Sequence, residues 1–255
     1  MNIRKLFDDN SEIYAQARPR YPSALYEWLV NACPRHQSVW DVGCGSGQAA
    51  IDLSHFFEIV KATDVSAAQI SHAPSCDGVT FSVQPAEATL FADASFDAVC
   101  VAQALHWFDH EQFWPEVQRV LRPGGIFAAW GYSWPHIDPA IDEVLGKSLL
   151  SVIQKYWAPQ NKLLWDGYRE VPFPLDRLEV PEFEMTMKCS AQQFFAYLHS
   201  WSATRRCIDA EGDAFFDASF QEIDRLWGSK VERLVCMDFV AMAGCKTWID
   251  GIKPA

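Results

Sequence analysis

The stretch whose residue types and spacing point most directly to chemistry is Asp41-Val42-Gly43-Cys44-Gly45-Ser46-Gly47. It closes a short apolar run, Ser38 to Val42, and opens a helical pattern at Gln48. Glycines at such a junction permit a tight turn, bring a ligand close to the backbone and let helix and strand pack closely. The helix end then presents N–H groups and positive potential to an anion. The spacing is GxGxG; a GxGxxG turn would need glycine where Gln48 stands. That counts against a dinucleotide pyrophosphate and favours a smaller anion, such as an amino-acid carboxylate. Asp64 follows Gly47 by 17 residues and ends the next apolar run. A carboxylate there accepts hydrogen bonds from both hydroxyls of a ribose. Loop and acid together read as a site for a nucleoside-containing ligand at the ends of strands.

The elements that must position these groups alternate along the first half. The pattern predicts a helix over Ser23–Ala32, stopped by Pro34, and strands at Ser38–Val42, Ile59–Asp64, Val79–Val83, Phe96–Ala102 and Ile126–Trp130. Helices are expected from Gln48 to Phe57, Ala67 to Ala73 and Asp109 to Leu121, the last closed by Arg122-Pro123-Gly124-Gly125. This alternation implies an α/β fold with a doubly wound, mostly parallel sheet. Later, Asp138-Pro139 starts a helix to Tyr156, with an Asp cap and Pro at the first helical position. Glu182 to Met187 alternates like a strand, Ser190 to Gln193 resembles a capping box, Gly228 ends a helix begun near Asp213, and Leu234 to Ala243 is a final strand.

Composition bounds the partners. The 255 residues carry 21 Lys+Arg against 33 Asp+Glu, a net charge of −12 spread over both halves. Nucleic-acid binding needs clustered cations, so no nucleic-acid partner is expected. The hydrophobic fraction of 49% with 21% charged residues excludes wholesale disorder. No apolar run reaches membrane-helix length, and Met1 to Asp9 lacks the apolar core of a secretory signal. The eight cysteines form no CxxC pair, which suits buried thiols in a reducing cytoplasm. His110-Glu111 lacks the second histidine of HExxH, and there is neither a GxSxG elbow nor a Walker A loop, so no metal site is expected.

With those motifs in place, the chain resembles the class I S-adenosylmethionine-dependent methyltransferases of the type 11 branch. Asp41–Gly47 resembles their first motif and Asp64 their ribose-binding acid, followed by Val65. Pro85-Ala86-Glu87 resembles the adenine-contacting loop, Phe96–Phe108 the fourth strand and active-site turn, and Leu121–Gly125 the turn before strand five. Tyr14–Pro22 and Tyr197–Ala203 are similar to segments of a subgroup related to trans-aconitate methyltransferase. Many members carry an acid where Pro85 stands, which shifts the adenine contact to Ala86 and Glu87. The resemblance implies a Rossmann-like, seven-stranded sheet, with an amino-terminal lid and first helix over residues 1–35, a cofactor-binding core over 36–133, and substrate-covering helices plus the last two strands over 134–255.

The resemblance also implies S-adenosyl-L-methionine as cofactor, held by Asp41, Gly43, Cys44, Gly45, Gly47, Asp64, Val65, Ala86, Glu87, Gln103 and Arg18, with Tyr14 and Arg18 closing over it and Tyr14 and His106 as the catalytic residues. Arg18 would reach the cofactor's carboxylate by a charge-assisted bond, or else make a salt bridge to the acidic body. His106, just past strand four, suits proton transfer at neutral pH, or only donates a hydrogen bond beside Trp107 and Phe108. Trp107, Trp130, Tyr132 and Trp201 would wall a substrate pocket, and Arg205 would receive a substrate carboxylate; core packing and a solvated helix end are the alternatives. Nine of the 11 tryptophans fall at or after Trp107, which favours a closed aromatic pocket. The implied reaction is O-methylation of a small molecule by a monomer or homodimer. Competing readings are a nicotinamide-dependent oxidoreductase, a non-catalytic cofactor-binding partner protein, and a protein or tRNA methyltransferase.

Overall fold

The computed structural model describes residues 19–228 and 231–247. In chain order these form α1 (Ser23–Ala32), β1 (Ser38–Val42), α2 (Gln48–Leu53), β2 (Ile59–Asp64), α3 (Ala67–Ser71), β3 (Val79–Val83), β4 (Phe96–Ala102), a 3-10 turn (Leu105–Trp107), α4 (His110–Val120), β5 (Leu121–His136), α5 (Pro139–Leu145), α6 (Asn161–Trp165), β6 (Asp176–Leu178), β7 (Met185–Cys189), α7 (Ala191–Ser200), α8 (Ser202–Glu211), α9 (Ala214–Trp227) and β8 (Arg233–Cys245). Chain contacts divide them into two units. A sheet unit comprises Tyr21–Ser133, Lys162–Phe183 and the chain from Phe239; a helical unit includes Trp134–Asn161 and Glu184–Asp238.

The sheet runs β3-β2-β1-β4-β5-β8-β6, with β7 paired to the first half of β8. The pairs β1–β2, β1–β4, β2–β3 and β4–β5 are parallel, whereas β6 and β7 run antiparallel to β8. Each of the seven expected strands has a counterpart. The eighth, β6, spans three residues, too short to carry a period. Strand order reverses between β1 and β4, and such a switch point opens a crevice at the carboxyl ends of the strands.

Both faces of the sheet unit are buried, as parallel strands require. Alternate side chains of β4 and β5 serve opposite cores. Ala98, Cys100, Ile126, Ala128 and Trp130 join Leu25, Tyr26 and Leu29 of α1, while Val99, Val101, Phe127 and Ala129 join Phe113, Val117 and Val120 of α4. At the amino ends of β1 and β4, the buried Asp97 carboxylate accepts from the Gln37 and Ser38 amides at 2.9 and 3.0 Å and pairs with Arg122 at 2.6 Å. The expected turn at Arg122–Gly125 is a bulge inside β5: Leu121 already pairs with Phe96, and regular pairing resumes at Ala98–Ile126. The helix after Gly47 ends at Leu53, short of the expected Phe57, and α3 ends at Ser71.

In the helical unit, the Asp138 carboxylate accepts from the Ala140 and Ile141 amides and also pairs with Arg233 at 2.6 Å. Helical backbone continues from Pro139 to Tyr156 through a π-helical stretch, Gly146–Leu150. Ser190 and Gln193 form the expected capping box of α7. That helix stops at Trp201, where a new one begins. Trp134, Trp157 and Trp201 meet pairwise at 5.5–6.2 Å between ring centroids, and Tyr197 stands edge-on to Trp201 at 5.4 Å. Among the described residues, no helix is long and apolar enough to cross a membrane.

Candidate cofactor site and active-site turn

The glycine loop lies at the carboxyl end of β1, in the switch-point crevice. Gly43, Gly45 and Gly47 have φ of +67°, +55° and +90°, a region in which a side chain is strained. A Cβ on Gly43 would lie 2.7 Å from the Ala104 Cβ, and one on Gly47 would lie 2.6 Å from the Phe81 ring. The first glycine therefore lets the loop pack against the turn after β4, and the third lets it pack against β3.

The loop uses its own amides, contrary to the expectation that they face an anion. Cys44 N donates to Thr63 O at 2.9 Å, Gly45 N to Asp64 Oδ2 at 2.9 Å, and Gly47 N to Cys44 O at 2.9 Å. The turn is tight enough to satisfy itself, so the amides of Cys44, Gly45 and Gly47 are committed before any ligand arrives. The Cys44 thiol is pushed up by burial and by the carboxylates of Asp41 and Asp64, which leaves it protonated.

Asp64 is placed by the end of β2 and oriented by backbone. Its Oδ1 accepts from Ser66 N at 2.8 Å, while Oδ2 holds Gly45 N. Each carboxylate oxygen has two acceptor directions, so one on each stays open to a diol. Val65 is 71% exposed beside it, and Val83 at the end of β3 is exposed too, an apolar rim suited to a flat base. Ala86 packs its side chain into the core, so only its backbone can face a ligand. Glu87 is partly committed, because its Oε1 accepts from Asp109 N at 3.1 Å at the start of α4.

Asp41 is fully buried, and neither carboxylate oxygen finds a hydrogen-bond partner of good geometry among the described residues. Burial pushes its pKa up to about 7, with the Ala50 amide opposing and Asp64 adding to the rise. A buried carboxylate approached only by the Ala50 amide, a glycine loop, an acid at the end of β2 and an apolar rim fit a small nucleoside ligand that also bears a positive charge.

The turn after β4 carries the remaining groups. Gln103 has φ +56° and clamps the end of β5: its amide donates to Trp130 O at 2.8 Å, its Nε2 to Tyr132 O at 3.0 Å, and its Oε1 accepts from Tyr132 N at 2.9 Å. His106 is 4% exposed and its Nδ1 lies 3.1 Å from Tyr168 Oη. Burial, with His110 assisting, pushes the imidazole down to about 4, so it is neutral at pH 7. The ring is thereby a weaker base than a free imidazole. Tyr168, missed in the sequence, lies 62 residues away in a turn that no local pattern ties to His106.

The expected substrate residues separate. Trp107 is 49% exposed beside His106, with ring centroids 4.8 Å apart. Trp130 is corrected to a core residue: it is 1% exposed and stands edge-on to Tyr21 and Tyr26. Tyr132 is buried against Tyr21 at 6.1 Å. Trp201 belongs to the tryptophan group of the helical unit, where the Arg205 side chain is exposed. Tyr14 and Arg18 lie outside the described residues.

A parallel sheet with a glycine loop, an acid at the end of β2 and a buried histidine after β4 at its switch point is the arrangement of a class I, Rossmann-like nucleoside-cofactor enzyme. Comparison with known proteins carries this further. Residues 40–129 match the methyltransferase domain model of the type 11 branch. A methyltransferase of Dictyostelium discoideum is 31% identical over 212 residues, 80% of this chain and 81% of the relative. An S-adenosylmethionine-dependent methyltransferase of Saccharomyces cerevisiae is 30% identical over 170 residues, 62% of this chain and 56% of its own. A solved type II methyltransferase from Anaeromyxobacter dehalogenans superposes with a TM-score of 0.85 at 37% identity, covering 91% of this chain and 99% of the other. The chain belongs to the class I S-adenosylmethionine-dependent methyltransferases, type 11 branch. Its cofactor is S-adenosylmethionine.

Proposed function

We propose that the enzyme methylates an oxygen of a small molecule, a carboxylate or a hydroxyl. The observation that carries this reading is the setting of His106. The turn packed on Gly43 holds an imidazole that is only 4% exposed, with half-exposed Trp107 beside it. An acceptor atom must enter a recess to reach such a group, which suits a small molecule better than a polymer. The net charge of −12 supports the same choice against RNA.

In this reading Asp64 receives the ribose hydroxyls, Val65 and the Ala86–Glu87 backbone flank the base, and the open side of the glycine loop lies along the methionine part. The buried Asp41 carboxylate supplies negative potential for the cofactor's ammonium and sulfonium charges. The cofactor supplies a methyl group on a sulfonium, an excellent leaving group, so the protein's part is chiefly alignment at about 3 Å. Gln103 fixes the turn onto β5, and His106 and Trp107 orient the acceptor. Trp201 and Arg205 are proposed as substrate-binding groups of the helical unit.

The test is a methyl-transfer screen across small carboxylates, phenols and amines, reading S-adenosylhomocysteine release. Turnover confined to oxygen acceptors is expected. Turnover only with amines, or methylation only of protein or tRNA, would overturn the proposal.

A further inference from the structure

Tyr168 is held where a tyrosine is seldom placed. Helix α6 closes with Tyr168 N donating to Leu163 O at 2.7 Å and Gly167 N to Leu164 O at 2.9 Å, a Schellman arrangement in which Gly167 takes φ +67°. Tyr168 continues in the left-handed region at φ +56°. Strain of this kind persists where the surroundings over-determine a side chain's position, and it clusters at functional sites. The result is a phenol that is buried and has one hydrogen-bond partner among the described residues, the Nδ1 of His106 at 3.1 Å.

The direction of that bond follows from satisfaction. Were Nδ1 to carry the proton, it would donate to the phenol oxygen and strand the buried O–H. With the phenol donating, both groups are satisfied. Nδ1 becomes the acceptor and the ring's proton sits on Nε2. The other titratable group acting on the ring is His110, whose Nε2 donates to Leu105 O at 2.9 Å. The phenol is a donor held far above its usual range by burial, and the His110 Nε2–H is spent on the Leu105 carbonyl.

We infer that Tyr168 locks His106 as the Nε2–H tautomer, so that His106 donates a hydrogen bond to the methyl acceptor instead of deprotonating it, and that the acceptor is a carboxylate. This rests on the methyl-transfer reading of the site. A carboxylate oxygen brings its own electron pair: the O–C bond forms as the C–S bond breaks, the pair goes to sulfur, and no proton moves. Tyr168 is a positioning residue, and His106 is the group that touches substrate. A neutral N–H donor also needs no protonation change between pH 6 and 9.

Two experiments test this. Nitrogen-15 NMR of the histidine rings in the free, full-length protein needs no turnover, so its failure is separate from failure of the methyl-transfer reading. The expected spectrum has His106 as the Nε2–H tautomer, uncharged down to pH 5, and Tyr168→Phe converts it to a tautomer mixture. An Nδ1–H ring, or protonation near pH 6.5, would overturn the lock. The second experiment compares substitutions against the carboxylate acceptors of the screen. His106→Gln keeps an N–H donor but no base, and is expected to retain about a tenth or more of kcat/KM, with a flat pH profile. His106→Ala is expected to lose about 100-fold in kcat/KM, the scale of one hydrogen bond that binds and orients a charged group. A glutamine variant as inactive as alanine, a wild-type limb near pH 6–7 that vanishes with His106, or turnover of hydroxyls but no carboxylate would each overturn the proposal.

Discussion

The Gly45 amide donates to Asp64 Oδ2 at 2.9 Å, so the acid at the end of β2 fastens the glycine loop at the end of β1. One carboxylate therefore shapes the loop and, in the proposed site, receives the ribose hydroxyls. Asp64→Ala should weaken S-adenosylhomocysteine binding about 10–100-fold, the scale of one or two hydrogen bonds to a charged group. Calorimetry measures this, and unchanged affinity would remove the ribose assignment.

Gly43 cannot accept a methyl group at φ +67° without meeting Ala104 at 2.7 Å. Gly43→Ala should lower stability by about 2–3 kcal/mol through backbone strain and overpacking. It should also disturb the turn carrying His106. A denaturant midpoint within error of wild type would show that the turn after β4 yields freely.

S-adenosylmethionine and S-adenosylhomocysteine should each raise Tm, and NADH should not. At 100 times Kd the expected stabilisation is about 2.7 kcal/mol, several degrees for a chain of this size. Thermal melts with each ligand decide it; a shift with NADH alone would point back to the oxidoreductase reading.

Asp41 gives a pH signature. Its folded pKa of about 7 lies above the ordinary carboxylate value, so the unfolded chain releases the proton first. Stability is then greatest below about pH 4 as far as this group is concerned, and is lost as pH rises towards 7. Asp41→Asn should stabilise the free protein by about 1–3 kcal/mol at pH 8, with little effect near pH 4. It should weaken binding of the positively charged cofactor more than that of S-adenosylhomocysteine. Equal stability of both proteins at pH 8 would mean that the carboxylate is solvated.

The strands and the loop were legible because they depend on local rules. Val39 lies in an apolar run closed by Gly43, Phe127 in one opened by Gly125, and Val99 and Val101 in an apolar run that follows Asp97; GxGxG marks the turn after β1. The capping boundaries at Asp138, Ser190 and Gly228 were legible for the same reason. What failed to show were relationships set by packing. Trp130 and Trp107 are the same residue type a strand apart, yet one lies under α1 and the other is half exposed. The fate of the Cys44, Gly45 and Gly47 amides depends on how tightly the turn closes. The His106–Tyr168 bond joins residues that only the fold brings together, and the histidine's acidity follows from burial rather than from any neighbour in sequence.

Strand β8 has a consequence for how this chain acquires its fold. Its first residues pair with β7 in the helical unit, while its last pair with β6 in the sheet unit. The Gly124 amide, in the bulge of β5, also donates to Lys246 O. The sheet unit is thus assembled from three separated stretches, the last of which is synthesised after the helical unit's Glu184–Asp238. During translation the glycine loop and the active-site turn emerge early, but the sheet beside β5 stays open until about residue 245 has left the ribosome. The edge of β5 is the stretch most exposed to mispairing in that interval.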